Sequence, residues 1–101
     1  MLNLNQKTLE AYRQKASAQI KEMRAKMTML ESEAEKSTAD MRIKYQNKVD
    51  ELKPRFKEIE ASLKELSESG EDAWEEVKNG INESISELQT ALTEATKHFN
   101  N

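Results

Sequence analysis

Leu66-Ser67-Glu68-Ser69-Gly70-Glu71-Asp72-Ala73-Trp74, residues 66–74, is the stretch on which the reading of the fold turns. Gly70 is free to take the left-handed conformation that ends helices, and Glu71, Asp72, Glu75 and Glu76 suit the positive end of a helix that starts after it. Ser69, three residues before Asp72, resembles a capping box. The segment therefore reads as a turn over 67–72 joining two helices.

On both sides of that turn, apolar residues recur at steps of three and four. Upstream the seam runs through Leu9, Ala16, Ile20, Met23, Met27, Leu30 and Ala34, then through Met41, Tyr45, Val49, Leu52, Phe56, Ile59, Leu63 and Leu66. Downstream it continues through Trp74, Val77, Ile81, Ile85, Leu88, Leu92, Ala95 and Phe99. Such a seam, flanked by charge, specifies amphipathic helices that pack seam to seam. Pro54 interrupts the backbone ladder between Leu52 and Phe56, but the seam stays in step across it and no turn residues accompany it. It reads as a kink. Gly80 reads as a close helix contact or a soft point within the second helix. Doubled four-residue steps at Met41-Tyr45-Val49 and Val77-Ile81-Ile85 are stutters that straighten the packing locally.

The expected fold is thus an all-α, elongated coiled-coil hairpin forming a single domain over residues 1–101. A long helix covers 4–67, kinked at Pro54, and a shorter one covers 72–99. At 1.5 Å per residue these span about 95 Å and about 42 Å. The second helix folds back beside residues 40–68 and leaves the first third without an intrachain partner.

Composition agrees with long helices: of 101 residues 36% are hydrophobic and 35% charged, with two Gly and one Pro. Zero cysteines remove disulfides, thiolate nucleophiles and cysteine metal sites together. No basic segment followed by an apolar run opens the chain, and no stretch approaches the length of a membrane-spanning helix, so a cytoplasmic location is the default expectation. Charge is uneven. Residues 1–30 carry six basic and two acidic side chains, which leaves the rest of the chain at −7 against an overall −3.

Candidate chemistry is sparse. His98 and Glu94 share one helical turn and could contribute to a metal site, but a closed zinc site needs four ligands and none accompanies them. The carboxylate pairs Glu31 with Glu35 and Glu71 with Glu75 need a pocket to do acid and base work, and a charged rod supplies none. The expectation is no catalytic, cofactor or metal residue, no cofactor, and no enzymatic activity. Met23, Met27 and Met41 read as plastic core rather than as a client-binding face. Trp74, with Leu66 and Val77, reads as the lock on the hairpin turn at Gly70. The basic residues of 1–30 have only Tyr12 as aromatic company, so nucleic acid is not an expected partner. Nor is a membrane surface, because the apolar face is narrow and rich in Ala, Ser and Met.

Gly70-Glu71-Asp72-Ala73-Trp74-Glu75-Glu76-Val77-Lys78-Asn79-Gly80 resembles a pattern found in small bacterial coiled-coil stress-response proteins, roughly Gly-Asp-Ala-Trp-Glu-Asp/Glu-Leu-Lys-x-Gly after a long charged helix. Residues 44–52, Lys-Tyr-Gln-Asn-Lys-Val-Asp-Glu-Leu, are similar to a second stretch of that family. The resemblance covers about half the chain and implies a cytoplasmic helical protein linked to stress, without a reaction or a ligand.

Two functions are consistent with these features. The first is a non-enzymatic, oligomeric coiled-coil protein of structural or interaction type. Its self-association is expected to be antiparallel, through Leu9, Ala16, Ile20, Met23, Met27, Leu30 and Ala34, with room for a further protein partner. The alternative is an amphipathic-helix protein that binds lipid surfaces.

Overall fold

The computed structural model describes residues 4–99, with side chains described over 6–97. They form α1 (Leu4–Glu35), α2 (Ala39–Glu68) and α3 (Glu71–Phe99). Connections of three and two residues force each helix to run antiparallel to the one before it, so α1 and α3 lie parallel with α2 reversed against both. The bundle measures 56 × 18 × 17 Å.

The chain is all-helical and elongated, but it is a three-helix bundle and not a two-helix hairpin. The expected 4–67 helix ends at Glu35, and a second begins at Ala39. Lys36 and Ser37 close α1 with tight amide bonds to the carbonyls of Glu33 and Ala34, at 3.2 and 3.1 Å, and the Ser37 hydroxyl also donates to Ala34. Thr38 then turns extended (φ −67°, ψ 164°), and its hydroxyl accepts the Met41 amide at 3.3 Å. This is an N-cap, followed by Asp40 in the first turn where a negative charge meets the helix dipole favourably. The break halves the reach of the upstream segment, which is why the molecule is 56 Å long rather than the expected rod.

The second turn lies where it was expected but is built differently. Ser69 ends α2 in extended conformation (φ −78°, ψ 159°), its amide bonded to the Glu65 carbonyl at 2.9 Å. Its hydroxyl donates to the same carbonyl and does not cap toward Asp72. Gly70 has no positive φ, so the left-handed cap expected of it is absent. Its carbonyl instead accepts the Ala73 amide at 3.1 Å, opening α3.

α2 runs through Pro54. The proline withholds a donor from the Asp50 carbonyl, but both residues are exposed, where water can satisfy that oxygen. α3 likewise runs through Gly80, at which an added Cβ would meet nothing within 4 Å, so no close helix contact is made there.

The core threads the bundle from end to end. α1 supplies Ala16, Ile20, Met23, Leu30 and Ala34, α2 supplies Tyr45, Val49, Leu52, Phe56, Ile59 and Leu66, and α3 supplies Ile81, Ile85, Leu88, Leu92 and Ala95. Leu9, Tyr12, Met27, Leu63, Trp74, Val77 and Ala91 pack against its margin. Among the described residues no charged or hydrophilic side chain is buried. The seam residues face inward because three amphipathic helices of matched length can cover one another completely, which two of unequal length cannot.

Candidate interaction surface

The seven residues expected to join one chain to another lie inside this chain. Ala16, Ile20, Met23, Leu30 and Ala34 are buried, and Leu9 and Met27 pack against the same core. The seam was expected to be bare because a 28-residue second helix cannot reach it. With a break at 36–38, α2 and α3 both lie along α1 and cover it. The basic half of α1 runs parallel to α3, whose residues 71–99 carry seven acidic and two basic side chains.

Polar contacts pin the helices in register around that core. Between α1 and α3, the Tyr12 hydroxyl donates to Asn82 Oδ1 at 2.7 Å, with the Lys78 carbonyl 3.3 Å away. The Lys78 ammonium lies 5.4 Å from the centre of the Tyr12 ring. Burial pushes the Tyr12 phenol above its ordinary value. Between α1 and α2, the Arg24 guanidinium stacks over the Phe56 ring at 4.8 Å from its centre and pairs with Glu60. Farther along, the Tyr45 hydroxyl donates to the Met27 carbonyl at 2.9 Å. Burial first, and then the charges of Glu31 and Glu35, push the Tyr45 phenol up to about 12. None of these ties was apparent in the sequence, because each joins residues whose pairing follows only from the break at 36–38.

At the second turn, the Trp74 indole donates its N–H to the Ser69 carbonyl at 3.1 Å. Its ring is partly buried against the core, beside fully buried Leu66 and partly buried Val77. The indole thus satisfies a carbonyl at the end of α2 while its ring packs against the margin of the core.

Among the described residues, reactive groups do not converge. Glu31, Glu35, Glu71 and Glu75 are all exposed. Glu94 is exposed as well, and the His98 side chain lies outside the described residues, so the pair has no described geometry. Among the described residues there is no group of three or more His, Cys, Asp or Glu that could hold a metal. A groove of about 660 Å³ runs between α1 and α3, rimmed by Lys26, Met29, Thr93 and Lys97. Its floor is closed by Met23, Leu30 and Leu92, which are 1%, 5% and 2% exposed, so it is an open trough and not a chamber. Of the large apolar side chains, Met29 and Ile43 project into solvent. No helix among the described residues is long and apolar enough to cross a membrane. No family model, curated protein or solved structure matches this chain.

Proposed function

We propose that this chain is a non-enzymatic helical-bundle protein that works by interaction or structural support through its outer surface, in the stress-linked setting implied by the family it resembles. One observation carries the reading: the described side chains sort into an apolar interior and a charged exterior, with the polar interhelix contacts at the boundary fixing register. Catalysis calls for the opposite arrangement, polar groups held in a water-poor site where their acidity and orientation are controlled. The carboxylate pairs stand in solvent, and the trough between α1 and α3 has a closed apolar floor.

Affinity capture from the source cell, before and after heat or oxidative stress, tests this reading. The bait is the folded chain, and the control is the same chain unfolded by Leu88→Asp, which places a charge at a fully buried position. A reproducible set of partners retained by the folded chain and lost by the control is the expected result. Recovery of the same set by both would refute action through the folded surface.

A further inference from the structure

The burial of Tyr45, Val49, Leu52, Phe56 and Ile59 fixes which side of α2 faces the core, and the charges on the helix then sort by position. At 3.6 residues per turn, Lys44, Lys48 and Arg55 fall along one border of the apolar face. Arg42, Lys53 and Lys64 fall along the other, with Lys57 just beyond them. Of seven carboxylates, Asp40, Asp50, Glu51, Glu58, Glu65 and Glu68 occupy the outer arc between the borders. The exception, Glu60, sits on a basic border and is paired there with Arg24 of α1. Arg42 and Lys53 look across a small groove toward Glu31 and Glu35 of α1, so ion pairing within the bundle gives one border a use. On the other border Lys48 pairs with Glu51 at 3.4 Å, whereas Lys44, Arg55 and Lys64 have no ion pair among the described residues, so pairing within the bundle does not account for the cations on both borders.

A phospholipid surface calls for that arrangement. When an amphipathic helix lies in the interface, its borders sit at the level of the phosphates, where Lys and Arg extend to the headgroups, and the middle of its polar face points to water. The apolar face of α2 has the side chains for insertion. The Ala and Met that argue against it lie mainly outside α2, at Ala16, Met23, Met27 and Ala34 of α1 and Ala91 and Ala95 of α3, whereas α2 has Met41 and otherwise presents Tyr45, Val49, Leu52, Phe56, Ile59, Leu63 and Leu66. Exchanging the protein core for acyl chains gives up few hydrogen bonds: the Tyr45 hydroxyl leaves the Met27 carbonyl and the Arg24–Glu60 pair at the border opens, while no charged or hydrophilic described side chain is buried.

We propose that α2 is a lipid-surface helix: the bundle opens at residues 36–38 and 69–70 and lays the Tyr45-to-Leu66 face of α2 onto an anionic phospholipid surface, with its border cations on the phosphates. This rests on the reading of the chain as a binding rather than a catalytic protein and names the partner for one of its helices.

The test is co-flotation of the full chain with vesicles of equal parts phosphatidylcholine and phosphatidylglycerol, compared with phosphatidylcholine alone. Saturable binding to the anionic vesicles and much weaker binding to the neutral ones are expected. Each border cation near the surface is worth about a fivefold change in affinity. The triple variant Lys44→Gln, Lys48→Gln, Arg55→Gln should therefore bind about a hundredfold more weakly. The control triple Lys7→Gln, Lys15→Gln, Lys21→Gln removes the same charge from the exposed surface of α1 and should lose far less. Thermal melts without lipid establish that both triples fold. A reporter with Phe56→Trp and Trp74→Phe should be quenched by lipids brominated along their acyl chains, placing the core face of α2 in the bilayer. No flotation, equal loss in the two triples, or flotation without quenching each overturn the proposal. The interaction reading, which is tested by protein capture, is decided separately.

Discussion

Replacing Met23 with Ala separates a bundle closed within one chain from a seam closed between chains. Met23 lies mid-way along α1, is 1% exposed, and is among the largest fully buried side chains. Truncating such a residue removes the transfer free energy of its buried atoms and leaves a cavity, at about 2–5 kcal/mol. A domain of this size has about 5–15 kcal/mol of stability in all, so the loss is a large share of the total. At about 4–8 °C per kcal/mol for a domain of 60–100 residues, the Tm should fall by at least about 8 °C. The assay is far-UV circular dichroism melting of both proteins at concentrations about a hundredfold apart, because only an associating system has a concentration-dependent midpoint. The expected result is a lowered Tm that is the same at both concentrations. A midpoint that climbs with concentration in the unmodified protein, and a Met23→Ala defect that shrinks at high concentration, would show that α1 is covered by another molecule. An unchanged Tm would mean that the side chain is not enclosed at all.

Gly80→Ala should raise stability by about 0.5–1 kcal/mol, because the position is helical, has no positive φ, and offers open space to a new methyl group; urea denaturation measures it, and a loss of stability would mean that another surface closes on Gly80. Thr38→Ala should cost about 1 kcal/mol by removing the acceptor for the Met41 amide, whereas Thr38→Ser should be nearly neutral. Equal and negligible effects would argue for a continuous helix through 36–38. Tyr45 has a folded-state pKa of about 12 against an ordinary 10.0, so its neutral form is favoured in the bundle. That contribution is fully present below pH 10 and is lost as pH rises toward 12. Tyr45→Phe should therefore have a shallower fall in Tm over that window than the unmodified protein, and superimposable pH profiles would place the phenol in water.

The phase of all three helices was legible in the sequence, because an apolar seam at helical spacing reports which side of a helix is buried whatever it packs against. Leu52, Phe56 and Ile59, and then Ile81, Ile85, Leu88 and Leu92, are seam residues and buried residues alike. The turn near Gly70 was legible through its glycine and the acidic residues after it. The break at 36–38 was not. It contains no Gly or Pro, and Ala34 and Met41 are seven residues apart, so the heptad register passes through it undisturbed. Its one local sign is Ser37-Thr38 ahead of Ala39-Asp40, an N-cap pattern that a charged helix also carries by chance. The Tyr12–Asn82 bond and the Arg24–Phe56–Glu60 cluster stayed hidden with it, since a pairing between helices has no meaning until the helices have been counted.

Magnitudes explain why so faint a signal governs the architecture. Breaking a helix at 36–38 gives up a few backbone bonds, of which the Thr38 cap and the amides of Lys36 and Ser37 restore part, so the local balance is on the order of 1–2 kcal/mol. A continuous helix would leave Ile20, Met23 and Leu30 in water, whereas the broken one encloses them at 5%, 1% and 5% exposure. Full burial is worth about 1.5–3 kcal/mol for each such side chain. Three of them outweigh the local cost of the break before any of their neighbours are counted. The fold is therefore decided by what α1 can bury, and Thr38 only selects where the chain bends. It follows that Thr38→Ala should weaken the bundle without converting it to a hairpin, whereas Ile20→Asp, which makes burial of α1 unfavourable, should release α1 while α2 and α3 stay paired. Amide hydrogen exchange distinguishes the two outcomes: in Ile20→Asp, fast exchange confined to 4–35 is expected, and uniform exchange across all three helices would mean that the bundle stands or falls as one unit.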